Sequence, residues 1–112
     1  MFTKPIENGL LLDTIAMNIQ GIYDSTLPPG ENIPLHYHPL MEEIYYILSG
    51  YGTMVIADDE KEVSRGDVIF IPVLSQHMIK NTGEVPLRFI TVSVRVAISK
   101  NDEAPPYMHK KD

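Results

Sequence analysis

The chain has no cysteine, which excludes a disulfide framework and takes thiolates out of the set of metal ligands. No apolar run approaches the ~18 residues of a spanning helix, and Met1-Phe2-Thr3-Lys4-Pro5 lacks the apolar core of a signal peptide. The expected setting is the cytoplasm, with no membrane partner. Basic residues are scarce: 9 Lys and Arg stand against 15 Asp and Glu, a formal net charge of −6. Charges over residues 99–112 cancel, so the body carries the whole excess and repels nucleic acid. No segment has a helical apolar period, no long repeat is present, and no helix-turn-helix segment offers the simplest regulator reading.

What is present reads as an all-β protein. At 112 residues and 44% hydrophobic, the chain is of a size to bury one core. Residues 1–98 are expected to form one domain. Residues 99–112, where Lys, Asn, Asp, Glu and Pro displace apolar residues, are expected to be a polar, flexible tail, and His109 within it reads as a surface histidine. Breaks at Pro28-Pro29-Gly30, Gly50-Tyr51-Gly52, Asp58-Asp59, Arg65-Gly66-Asp67 and Thr82-Gly83-Glu84 divide the rest. Strands are predicted near residues 10–18, 21–27, 33–38, 42–49, 53–57, 61–64, 68–71, 76–81 and 87–97. The Asp58-Asp59-Glu60-Lys61-Glu62 run reads as a solvated hairpin turn rather than a cation site.

The chemistry is concentrated between Gly30 and Asn81. Side chains alternate along a strand, so His36 and His38 leave on one side and Tyr37 on the other. Glu43 opens a second alternating run, and His77 lies in a third. Three imidazoles and one carboxylate make an N3O set suited to one divalent ion such as Mn, Fe, Co, Ni, Cu or Zn. Glu42 and Glu43 point to opposite faces, so only one can join that set.

These residues carry a resemblance. Gly30, five residues, His36-Tyr37-His38, four residues, Glu43, six residues, Gly50 resembles the first motif of the cupin family. Gly66, five residues, Pro72, four residues, His77, three residues, Asn81 resembles the second. The motifs and the 15 residues between them span 52 of 112 positions. The spacing to Gly50 selects Glu43 over Glu42, which then reads as an exposed charge. One departure is visible: Leu74 stands where the family usually has glycine, and a positive φ there is costly for a branched side chain. The resemblance implies a double-stranded β-helix, or jelly-roll barrel, with His36, His38, Glu43 and His77 as metal ligands.

The open positions of such an ion favour anionic oxygen donors, because one carboxylate leaves it with a formal charge of about +1. The expected function is therefore a metal-dependent enzyme acting on a small oxygen-rich molecule, of dioxygenase, isomerase or decarboxylase type. The alternative is a non-catalytic module that binds or senses a small ligand or metal. Tyr45, in phase with Glu43, is the candidate catalytic residue, although an aromatic beside Ile47 also serves as barrel filling. Met41, Met54 and Met78 read as filler. In the last run Ile90, Val92, Val94, Val96 and Ile98 form one face and Thr91, Ser93 and Arg95 the other, with Arg95 expected in water; facing inward, it would bind a substrate carboxylate. A homodimer is expected, with Leu10–Ile19 supplying a covering strand to its neighbour.

Overall fold

The computed structural model describes residues 18–96. Eight strands follow in order: β1 (Ile19–Leu27), β2 (Asn32–His36), β3 (Met41–Ser49), β4 (Tyr51–Ile56), β5 (Asp59–Ser64), β6 (Val68–Ile71), β7 (His77–Asn81) and β8 (Leu87–Arg95). Antiparallel pairing builds two four-stranded sheets, one ordered β1-β8-β3-β6 and the other β2-β7-β4-β5. Successive strands cross between the sheets except in the β4–β5 hairpin. This is a jelly-roll, a double-stranded β-helix, as the sequence predicts. The expected strand over residues 10–18, the end of the barrel domain at residue 98, the tail and His109 lie outside the described residues, apart from Asn18, which forms a bend.

Alternation places the core between the sheets. On β3, Glu43, Tyr45 and Ile47 are buried while Ile44 and Tyr46 are exposed. Their inward partners include Ile69 and Ile71 on β6, Leu87 and Phe89 on β8, Met54 on β4, Val63 on β5 and Ile79 on β7. The Tyr45 and Phe89 rings stack at 5.1 Å with 12° between their planes. Asn81, the last motif residue, is a structural tie: its amide donates to the Leu27 and Val85 carbonyls, and its oxygen accepts from the Gly83 N–H. Gly50 joins β3 to β4 at φ 91°, and a Cβ there would lie 2.5 Å from the Pro86 carbonyl oxygen.

Three local expectations change, and the turn at Leu74 is resolved. The acidic run is mostly strand rather than turn: the hairpin turns over Ala57 and Asp58, with Ile56 opposite Asp59, and Glu62 accepts from the Thr53 hydroxyl. Glu42 faces away from Glu43 but is half-buried, not exposed. On β8 Thr91 and Ser93 point inward and are buried, and Ile90, Val92 and Val94 lie half-buried outside, while Arg95 at the end of the strand is exposed, as expected. Finally, Leu74 does adopt the left-handed φ, at 64°. The turn keeps its geometry, at a cost of about 1 kcal/mol or more for a non-glycine residue. Its amide donates to the His38 carbonyl, which ties the turn to the site.

Candidate metal centre

Both sheets contribute to the site. Among the described residues β2 is an edge strand, where Pro34 is tolerated because no outer neighbour among them needs its missing N–H. A register irregularity between Ile33 and His36 sets His36 opposite His77 on β7. Such irregularities re-aim side chains at sheet margins. Beyond the end of β2, His38 returns to the same side while Tyr37 points to solvent, as alternation predicts. Glu43 arrives from β3 in the other sheet, opposite Ser93 on β8.

The four predicted side chains converge. One ligand atom from each of His36, His38, Glu43 and His77 lies within 4.8 Å of all the others. His36 and His77 rings sit with centroids 4.1 Å apart, and His36 and His38 at 5.1 Å. His36 Nδ1 donates to the Pro34 carbonyl at 2.7 Å, and His77 Nδ1 donates to the Ser75 carbonyl at 2.9 Å. Since a carbonyl only accepts, both Nδ1 atoms carry the proton, and each Nε2 is left with a lone pair. Glu43 Oε2 accepts from the Ser93 hydroxyl at 2.9 Å. Glu43 Oε1 and His77 Nε2, both buried, have no hydrogen-bond partner among the described residues, yet they approach to 3.2 Å. A lone pair facing a carboxylate oxygen is satisfied only by a proton or a cation between them. Glu43 Oε1 also lies 3.4 Å from His38 Nε2. The donor set fits a divalent ion.

Electrostatics agree with this geometry. Burial works to raise the Glu43 carboxyl, but the neighbouring His77, Ser93 and His38 outweigh it and hold Glu43 below the ordinary carboxylate range. For His77, burial works to lower the imidazole, yet Glu43 and the Ser75 carbonyl leave it raised. His38 is lowered, first by burial, against the attraction of Glu43, with His36 and His77 adding to the lowering. Tyr45 lies in the core in phase with Glu43, its ring edge-on to His77 at 6.3 Å. Burial, and then the Glu43 charge, push its hydroxyl above its usual range. Tyr45 is thus held protonated, suited to donating a hydrogen bond and unsuited to acting as a base.

Two contributors were not singled out by the sequence motifs. Ser93 orients Glu43, and its only sequence signal is its phase with Leu87 and Phe89 on β8. Gln20 meets Arg95 at the mouth. Met41 borders that mouth with His38 rather than filling the barrel, whereas Met54 is core. Among the described residues, no helix is long and apolar enough to cross a membrane.

Comparison with known proteins adds to this geometry. The family profile described as a cupin domain matches residues 23–93. An uncharacterized protein of Methanocaldococcus jannaschii is 38% identical over 91 residues, covering 81% of this chain and 65% of the relative. The oxalate-binding protein of Thermotoga maritima is 44% identical over 70 residues, covering 61% of this chain and 56% of the relative. The chain thus spans less than two thirds of the length of these curated relatives. Among solved structures, a predicted oxalate decarboxylase of Thermotoga maritima superposes with a TM-score of 0.68 at 35% identity, over 70% of this chain and 68% of that one. A cupin protein of Bacteroides fragilis does so at 0.65 and 26% identity, over 87% and 80%. With the profile spanning more than half of its length, the jelly-roll architecture and both motifs in place, this chain belongs to the cupin family.

Proposed function

We propose that His36, His38, Glu43 and His77 hold one divalent metal ion, and that the site binds and acts on a small oxygen-rich anion of the oxalate or enolate kind. The observation that carries this reading is the unpartnered, buried pair of Glu43 Oε1 and His77 Nε2. A divalent ion there would supply an electrophile that polarises a ligated carbonyl or carboxylate. The chain's own residues do the rest. Pro34 and Ser75 carbonyls fix the imidazole tautomers, Ser93 fixes the carboxylate, and the Tyr45–Phe89 stack keeps part of the adjoining core apolar. The names of the Thermotoga relatives support an oxyanion ligand.

A non-catalytic binding module is the second reading. It is favoured by the protonated state of Tyr45, which leaves the proposed ligands as the titratable groups clustered at the site among the described residues. The test begins with metal analysis of wild type and of the His36→Ala, His38→Ala double variant. Stoichiometric metal in wild type and its loss from a still-folded variant are expected; retained metal would sink the assignment. Activity per bound metal in Glu43→Gln then separates the readings. An enzyme loses turnover beyond its loss of metal, because the amide raises the charge on the ion, whereas a binder's affinity follows metal content.

We also propose a homodimer. Supporting it is the outer face of the β1-β8-β3-β6 sheet, where Ile22, Val92, Ile44 and Phe70 form one row across four strands, and Ile90, Tyr46 and Val68 continue beside it. Ile44, Tyr46, Val68 and Phe70 are exposed, and contiguous apolar surface of this kind marks an interface. Light scattering should give twice the 12.6 kDa chain mass; a single monomeric species at micromolar concentration would reject the dimer.

A further inference from the structure

Beside the proposed metal centre lies an open cavity of about 600 Å³ whose wall includes both His38 and Arg95, together with Gln20 and Met41. Arg95 ends β8 in phase with the inward row, two residues beyond Ser93, whose hydroxyl holds Glu43, and is itself exposed at the rim. At roughly 3.3 Å per residue, its Cα stands about 7 Å further along the strand than that of Ser93. Its backbone is pinned on both sides: the Arg95 N–H donates to the Asn18 carbonyl at 2.6 Å, and the Val96 N–H donates to the Leu40 carbonyl at 2.8 Å.

The side chain is oriented as well. With the Gln20 amide turned to satisfy both groups, its oxygen accepts from Arg95 Nε at 2.7 Å and from Nη2 at 3.0 Å. That engages one edge of the guanidinium and leaves the Nη1/Nη2 edge, two parallel N–H donors, for another acceptor. Arg88 on the same strand differs in its partner: its Nε, at 2.9 Å, and its Nη2 meet the Asp24 carboxylate, which offsets its charge, whereas the Gln20 amide beside Arg95 is neutral. Among the described residues lining the cavity, Arg95 is the one permanent cation, in a chain whose net charge of −6 otherwise repels anions.

We infer that Arg95, oriented by Gln20, is a second anchoring point for the ligand of this site, one that selects molecules carrying a second oxyanion, carboxylate or phosphate, several bonds beyond the group that meets the metal. The inference rests on the metal-chelation reading above and deepens it. Oxalate, with all its oxygens at one end of this span, would leave Arg95 unused. A longer molecule with a chelating 2-hydroxy acid at one end and a free oxyanion at the other would engage both.

The experiment uses the full chain loaded with nickel(II), a redox-inert ion, and titrates four compounds by calorimetry. Oxalate chelates only; 2-hydroxybutanoate chelates with a neutral tail; 2-hydroxypentanedioate adds a distal carboxylate; 2-hydroxy-4-phosphonobutanoate replaces that carboxylate with a phosphonate. Wild type should bind at least one of the two-anion compounds about tenfold more tightly than 2-hydroxybutanoate, the modest size reflecting an exposed cation, and whichever tail wins names the oxyanion. In Arg95→Gln the preference should vanish while nickel content and oxalate affinity stay unchanged. Arg95→Lys, a point charge without the fork, should keep only part of it. If Arg95→Gln fails to fold, Gln20→Met supplies the same test, lowering the preference and sparing oxalate. A wild-type ratio near one, or a ratio that survives in Arg95→Gln, would overturn the inference and leave the chelation reading standing. Failure of all four compounds to bind would overturn both.

Discussion

Removing a single hydroxyl should weaken metal binding without touching a proposed ligand. Ser93 is 4% exposed, and its Oγ donates to Glu43 Oε2 at 2.9 Å across the β3–β8 ladder. In Ser93→Ala that oxygen keeps its charge and loses its donor. A hydrogen bond to a buried charged group is worth about 1.5 to 3 kcal/mol, and at about 1.4 kcal/mol per decade this is roughly a 10- to 100-fold loss of affinity. Loss of a residue that orients a metal ligand falls in the same range of about 10- to 100-fold. Glu43 is 7% exposed, so water offers little relief. The assay is competition with a chromophoric chelator at neutral pH, with Thr91→Val as the control. Thr91 is buried in the same row but has no such bond to Glu43, and its variant should stay within about threefold of wild type, since the bond, not the row's polarity, carries the effect. If Ser93→Ala binds as tightly as wild type, or Thr91→Val weakens binding equally, the reasoning fails.

Three further outcomes follow from the same geometry. Gly50→Ala should cost about 2 kcal/mol or more, because φ is 91° and the new Cβ would press on the Pro86 carbonyl oxygen and on Leu87 Cα at 2.8 Å; urea denaturation should show a lower midpoint with an unchanged slope. Leu74→Gly should raise the melting temperature, by roughly 0.5 to 1 kcal/mol of added stability, since Leu74 holds φ 64° with its side chain half in water; an unchanged or lower melting temperature would deny the strain. Acidification should weaken metal binding, because protons compete for the imidazoles. Although burial opposes it, Glu43 and the Ser75 carbonyl raise His77 above its ordinary 6.5, so the affinity should begin to fall above that pH as the proton returns. A dissociation constant flat between about pH 6 and 8 would contradict the assignment.

Much of this was legible in the sequence because it depends on period and spacing. Alternation alone put His36 and His38 together and separated Glu43 from Glu42. Positive φ at Gly30, Gly50 and Gly66 explains why the punctuation falls at those glycines. Alternation fixes phase, however, and not which phase is inside. On β8 the valine and isoleucine row looks like core, yet Thr91 and Ser93 are buried in phase with Leu87 and Phe89, and Ser93 there holds Glu43. The apolar row is left half-buried on the outer face. The acidic run misleads for a related reason: its charges suit a turn, but they suit an edge strand equally well, and β5 is one among the described strands. Contacts between distant segments, such as Gln20 with Arg95 or Ser93 with Glu43, leave no local pattern to read.

The division of the four converging side chains between two sheets has a mechanical consequence. His36 and His77 belong to the β2–β7 ladder, while Glu43 belongs to β3 in the facing sheet. An ion held by all of them would act as a rivet through the sandwich, resisting both sliding and splaying of the layers. Its binding energy would then be felt as kinetic endurance, with amides of both sheets exchanging more slowly and unfolding waiting on the rivet's release.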